Sequence, residues 1–197
     1  MIVYYRNMRT QDEEKKDALF EATVKLVNEI GFVSSSVSKI AKEAGVSAST
    51  LYVYYKNKEE LLVSTYLQIK AHMGKTILED FDDTLPIRDF FKMVWINKYK
   101  YISKYPEYNS YIEQFANSPY NSLVEIKEME KYWIPLIQMA QKGIERKIIK
   151  DVDYNFLAAF FFIPISYLAN PHMVQGKEYS EEEIEEAFNM AWDAIRL

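Results

Sequence analysis

Cysteine is absent from this 197-residue chain, which removes disulfides, thiol nucleophiles and thiolate metal sites together. Histidine is nearly absent: His72 and His172 are the only two, too few to build a histidine metal site. Glycine occurs five times, leaving little room for a phosphate-cradling glycine loop. The longest apolar run, Phe156 to Ile165, is too short to span a bilayer. The first residues, MIVYYRNMR, lack the apolar core of a secretion signal. The chain therefore reads as cytoplasmic, with no membrane partner. No serine has a histidine near it in sequence. Carboxylate pairs such as Asp82–Asp83 and Glu181–Glu183 fall at helix starts, where the helix dipole accounts for them. These absences point away from an enzyme and from any cofactor.

What is present describes a globular protein. The hydrophobic fraction is 49%, ordinary for a folded domain, and the length suffices for one or two cores. The net charge of −5 is unevenly spread. Residues 1–60 hold 9 Lys/Arg and 9 Asp/Glu, and the remainder holds 15 against 20. Between Ser36 and Lys58, the four lysines Lys39, Lys42, Lys56 and Lys58 face the single acid Glu43. DNA affinity follows the local field where phosphates dock, so an acidic total does not exclude it.

The informative stretch is Gly31 to Leu62, GFVSSSVSKIAKEAGVSASTLYVYYKNKEELL. Before it, Leu19, Ala22, Thr23, Leu26 and Ile30 mark one face of a first helix over about residues 10–30, ended by Gly31. Ser34, Ser35 and Ser36 offer N-caps for a second helix, whose inner face is Val37, Ile40, Ala41 and Ala44. Gly45 stands where the chain reverses, Val46 can plug the corner, and Ser47 can cap a third helix. There Leu51 and Tyr55 face inward, leaving Ala48, Ser49, Thr50, Tyr52 and Tyr54 outward. Two helices this short are unstable alone and must be held by neighbours. Short helix, turn, short helix is the pattern of a helix-turn-helix DNA reader. Small polar residues at a helix N-terminus can meet base edges, while tyrosine hydroxyls and lysines suit phosphates. A purely structural helical corner fits the same spacing, but it has no need of a basic, aromatic outer face.

The stretch resembles the DNA-binding region of the TetR family of bacterial transcriptional regulators. The residues that carry the likeness are Gly31-Phe32, Ile40-Ala41, Ala44-Gly45-Val46-Ser47, Thr50-Leu51-Tyr52, Tyr54-Tyr55, Lys58-Glu59 and Leu61-Leu62. It covers about Lys15 to Thr65. Tyr55 stands where the family usually has Phe, and Ser38 where a basic or polar residue is common. The resemblance implies a dimeric helical repressor with DNA contacts from Ser36, Ser38, Lys39, Ser47, Ala48, Ser49, Thr50, Tyr52, Tyr54 and Lys58. It also implies a connecting fourth helix and a C-terminal ligand sensor.

The expected architecture is all-α with about nine helices. Residues 1–56 form the reader, 57–80 the connecting helix and 81–197 a ligand-binding and dimerisation domain. Arg6 and Arg9 can reach a minor groove as an arm or belong to a frayed terminus. Asn57 and Glu60 are spaced as a capping box. His72 is a ligand contact, a pH-sensitive group or a packed side chain, and the spacing does not choose. Asp80 to Leu85 reads as a linker, Pro86 opens a fifth helix and Pro106 ends it. A sixth helix follows, then a seventh from Ser118 to about Lys147 passing through Ile126 and kinked at Pro135.

The middle third is dense in aromatics, and Trp95, Tyr99, Tyr111, Phe115, Trp133 and Phe161 are candidates to line a small-molecule pocket. Aromatics at helical spacing also build cores, which holds for most of them. The eighth helix (from Asp153) is apolar nearly all round, and the ninth starts with a Ser180–Glu183 capping box. Phe156, Phe160, Ile184, Phe188 and Trp192 are the candidate dimer face. The function this predicts is a homodimeric repressor, released from a palindromic double-stranded DNA operator by a small apolar or aromatic effector. The alternative is a DNA-bound regulator that contacts another protein and has no inducer.

Overall fold

The computed structural model describes residues 11–79, 81–82, 84–125, 127–128 and 131–197. The candidate arm residues Arg6 and Arg9, with Asp80, Asp83 and Ile126, lie outside them. Nine α-helices, with no strand beyond one isolated bridge between Ile149 and Arg196, make up the regular structure of the described residues. They are α1 (Gln11–Ser34), α2 (Val37–Glu43), α3 (Ala48–Tyr54), α4 (Lys58–Ile77), α5 (Ile87–Lys104), α6 (Pro106–Ala116), α7 (Ile134–Glu145), α8 (Tyr154–Leu168) and α9 (Glu181–Ile195). A 3₁₀ turn, Pro119–Leu123, follows α6.

The chain forms two compact units, Met1–Tyr66 with Ser110–Leu123, and Leu67–Asn109 with Val124–Leu197. These boundaries differ from the expected 1–56, 57–80 and 81–197, because α4 and α6 each contribute to both units. In the first unit, Leu19, Ala22, Ile40, Ala41, Leu51 and Leu61 form a buried cluster, with Val37, Val46 and Tyr55 packed on it. Burying a leucine or isoleucine contributes about 1.5–3 kcal/mol. That is more than either seven-residue helix supplies by itself. Phe32 is enclosed by the rings of Tyr111, Phe115 and Tyr120, with centroids 5.3, 5.8 and 5.6 Å away. Tyr66 stacks on Phe115 at 4.2 Å, and the Tyr111 hydroxyl donates to Leu62 O at 3.0 Å.

In the second unit, α8 packs on α9 and α5, α9 on α5, and α5 on α7. Its core holds Phe90, Trp95, Phe161, Ile165, Phe188 and Trp192. The Trp95 indole N–H donates to Phe161 O at 3.1 Å, satisfying its polar atom inside that core.

Helix termini follow the local chemistry closely. Gly31 breaks α1 with φ 76°, ψ 167°, and Gly45 turns the corner after α2 with φ 68°. Ser36, Ser47, Asp153 and Ser180 cap α2, α3, α8 and α9, the last with a full capping box. Asn57 Oδ1 accepts from Glu60 N at 2.8 Å, but the Glu60 carboxylate reaches one residue further back, to Lys56 N at 2.6 Å. The expected seventh helix is corrected. A 3₁₀ turn occupies its start, and Pro135 sits in the first turn of α7 rather than inside a longer helix. Proline has no N–H to lose in the first turn, so it stands as the second residue of the helix without a kink.

Candidate functional site

The outer face of α2 and α3 is built by their caps. Ser36 Oγ accepts from Lys39 N at 3.3 Å, and Ser47 Oγ accepts from Thr50 N at 3.0 Å. Ser47 Oγ also lies 2.7 Å from Ser49 Oγ and 2.8 Å from Thr50 Oγ1. With those bonds made, Ser36, Ser38, Lys39, Ser47, Ser49 and Tyr52 are exposed, and Thr50 is half-buried. The sole acid of the segment, Glu43, is ion-paired to Lys25 at 2.5 Å. That pair also raises the Lys25 ammonium above its ordinary value, through the hydrogen bond to Glu43 first. The other charged side chains between Ser36 and Lys58 are the lysines Lys39, Lys42, Lys56 and Lys58.

Three predicted contacts sit less freely than expected. Ala48 and Tyr54 pack against the buried cluster rather than facing out, because a seven-residue helix needs more inward contact than Leu51 alone provides. The Tyr54 hydroxyl donates to Asp12 Oδ1 at 2.7 Å, which raises its pKa. Lys58 Nζ donates to Phe32 O at 2.6 Å, tying α4 to the end of α1. An ammonium has two further protons to offer. Val53, 77% exposed beside Tyr52, was missed by residue-type reasoning. The signal was there: an apolar side chain at an outward position of α3.

A second candidate site lies in the other unit. Lys70, Met73, Lys98, Trp133, Leu136, Tyr154 and Phe162 line a cleft of about 210 Å³. An apolar chamber of about 20 Å³ shares Leu136, Tyr154 and Phe162 with it and includes Phe161. Of the six predicted pocket residues, only Trp133 and Phe161 fall at these cavities. Trp95 is fully buried core. Tyr111 and Phe115 pack around Phe32 in the first unit. Tyr99 is half-buried on α5 and lines neither cavity. Lys70 and Lys98 were missed, since a lysine on a helix reads as a solvated face. Burial holds the Lys70 ammonium down, at about 8. His72 Nδ1 lies 2.9 Å from the Tyr101 hydroxyl, with the Tyr105 ring 5.2 Å away.

The predicted dimer residues divide into two groups. Phe156 and Phe160 are 61% and 62% exposed, in line with Ile163 and Tyr167 along α8. Ile184, Phe188 and Trp192 are instead buried within their own unit at 6%, 0% and 5%. They are the inward stripe of α9 against α5 and α8, so a second copy cannot reach them.

A reader of two short capped helices on an all-helical frame defines a helix-turn-helix protein. The family "Bacterial regulatory proteins, tetR family" matches residues 19–65, and "Tetracyclin repressor-like, C-terminal domain" matches residues 86–196. An uncharacterized HTH-type transcriptional regulator of Haemophilus influenzae is 30% identical over 194 residues, covering 96% of this chain and 100% of the relative. The crystal structure of a TetR family transcription regulator from Marinobacter aquaeolei superposes with TM-score 0.86 at 33% identity, covering 96% of this chain and 99% of that one. The transcriptional regulator FadR from Bacillus subtilis, solved in complex with stearoyl-CoA, shares the fold (TM-score 0.66, 18% identity, 91% and 98% covered). The chain belongs to the TetR family. It is a DNA-binding transcriptional regulator, and no helix among its described residues is long and apolar enough to cross a membrane.

Proposed function

We propose that the protein is a cytoplasmic homodimeric repressor released from a palindromic operator by a small molecule. The observation that carries this reading is the cleft, because Lys70 and Met73 in its wall belong to α4. That same unbroken helix begins at Lys58, whose ammonium holds the carbonyl of Phe32 in the reader unit. An effector lodged against α4 selects among positions of a helix that supports the reader, and a coupling of about 1–3 kcal/mol suffices for control. Ser36, Ser38, Lys39, Ser47, Ser49, Thr50, Tyr52 and Lys58 contact DNA in this reading, with Ala48 and Tyr54 positioning α3.

Pairing rests on α8. Phe156, Phe160, Ile163 and Tyr167 recur at four-three-four spacing and are each more than half exposed, a seam suited to a second helix. Met190 of α9, 71% exposed, extends the apolar surface. Two readers then meet half-sites about 34–36 Å apart or a multiple of that. The fold this chain shares with a FadR solved in complex with stearoyl-CoA supports a small-molecule sensor.

The test is operator selection with the full-length protein, followed by a release screen of small molecules. Effector-dependent release supports the proposal. Tight operator binding that no member of a chemically broad screen weakens favours a regulator that contacts a protein partner instead.

A further inference from the structure

Val53 is an exposed apolar side chain that the fold of the reader does not use. It is 77% exposed, and it is not among the side chains packed on the buried cluster that holds α2 and α3. Valine is a poorer helix former than alanine, so in a helix of seven residues an outward valine weakens the element that carries it. Ser49, Tyr52 and Val53 stand at i, i+3 and i+4 and share one exposed face of α3. The chemistry on that face is uneven. Ser49 Oγ lies 2.7 Å from Ser47 Oγ, within the capping bonds, and Tyr52 carries a hydroxyl suited to a phosphate. Val53 offers two methyl groups and nothing polar. Val33 is more exposed still, but it stands at the end of α1, ahead of the cap of α2. Exposure alone therefore does not single out Val53; its place on the outward face of α3 does.

We infer that Val53 is a specificity-determining residue whose γ-methyl groups pack on the 5-methyl group of a thymine in the major groove. This rests on the reading above that the outward face of α3 lies against DNA. Of the four bases, thymine is the one whose major-groove edge carries a methyl group; the others show hydrogen-bond donors and acceptors there. An apolar side chain gains by covering that methyl group and has nothing to exchange with the polar edges. A helical valine keeps one χ1 rotamer about 90% of the time, so its methyl groups are held in place with little freedom to lose on binding. A serine or threonine hydroxyl turns between donor and acceptor and so meets several bases. Valine meets one. Each half-site then contains a fixed thymine opposite Val53, read by apolar contact rather than by a hydrogen bond.

The test pairs a change in the protein with removal of the methyl group alone. With the full-length protein and its selected operator, each thymine of the half-site is replaced in turn by uracil, which keeps the base pair and lacks the methyl. One position should lose about fourfold in affinity per half-site, the worth of one buried methyl group. Val53→Ala withdraws both γ-methyl groups and suits a helix; it should bind the thymine and uracil operators alike at that position. Val53→Ile should keep the preference for thymine. Circular dichroism should show each variant folded as the wild type is, with the salt slope unmoved because no charge changes. Selected half-sites with no fixed thymine overturn the inference. So does a half-site in which no uracil costs affinity, or one whose penalties Val53→Ala leaves in place. In those cases, weaker binding by Lys39→Ala and Tyr52→Ala leaves α3 against DNA. Operator affinity untouched by either of them and by Val53→Ala removes that placement and this inference together.

Discussion

The reader and the cleft are built on opposite plans. In the reader, the determining bonds join residues three apart: Ser36 to Lys39, Ser47 to Thr50, Asn57 to Glu60. In the cleft, Lys70, Lys98, Trp133 and Phe162 arrive from four separate segments of the chain. A local plan fixes an exposed surface of small side chains, and its chemistry is decided by which residue types stand outward. A non-local plan fixes an interior, and its chemistry is decided by which side chains the packing leaves uncovered. The first kind of site is specified by residues close together in sequence, although its short helices still rest on Leu19, Ala22 and Leu61. The second depends on everything around it.

The sharpest way to break this comparison is at the α8 seam, whose proposed pairing would bring two readers to one operator. Phe156→Glu with Phe160→Glu should leave helicity intact by circular dichroism and yield a monomer by light scattering. Operator affinity should fall roughly 10²–10⁴-fold as the linkage of two half-site contacts is lost. A dimer with unchanged affinity would place the interface elsewhere.

Two glycines separate the plans at the level of single residues. Gly45→Ala forces a side chain into φ 68° with open space around it, costing about 1–2 kcal/mol of backbone strain. At Gly143 the backbone is ordinary, but a Cβ would lie 2.6 Å from Ile149 Cδ1, so Gly143→Ala should cost about 1–3 kcal/mol by overpacking. Adding Ile149→Val should recover part of the second loss and none of the first. Denaturant titration reads both.

On the DNA side, Lys39→Ala or Tyr52→Ala should weaken binding to all sequences alike. Each lost phosphate contact by a lysine lowers the salt slope by about 0.9. Ser49→Ala should instead alter sequence preference with little change in slope. Identical behaviour of the three in a salt series would refute the division of roles.

The smallest effects are in pH. Between about 8 and the ordinary lysine value of 10.5, the unfolded chain keeps the Lys70 proton that the folded chain releases. Stability from this group therefore rises with pH across that window. Lys70→Met removes the penalty, so the gain in Tm over wild type should be larger at pH 7 than at pH 10. Tyr111 acts in the opposite sense. Burial raises its pKa above the ordinary 10, so the folded chain holds its proton while the unfolded chain ionises, and stability falls above pH 10. Tyr111→Phe should reduce that alkaline loss while costing about 1 kcal/mol at neutral pH for the bond to Leu62 O.

The contrast also accounts for how much could be read from residues alone. The caps Ser36 and Ser47, the turns at Gly31 and Gly45 and the inward face of α2 are short-range facts, and each stands where its spacing places it. Tyr54 was misplaced because outward and inward differ by one residue in a helix of two turns. Aromatics in the second unit were not separable, since Trp95 and Trp133 stand on equally plausible helical faces. Only the packing of α5 against α8 and α9 makes the first core and leaves the second at a cleft. Lys70 and Lys98 look like solvated lysines until the walls that half-bury them are in place. For α9, amphipathic spacing located an apolar stripe correctly and could not say whether its partner was the same chain or another.

The enclosure of Phe32 by Tyr111, Phe115 and Tyr120 has a consequence for synthesis. The first 66 residues emerge from the ribosome with α1, α2 and α3 complete, yet the rings that close over Phe32 lie some 80 to 90 positions later. Until that segment arrives, the Phe32 and Tyr66 rings present bare apolar surface on a nascent chain. A contact between segments so far apart in sequence is also slow to form. The unit whose helices are made first is thus completed only after α6 has been made, and a chain truncated before α6 should be caught by a holdase chaperone or aggregate.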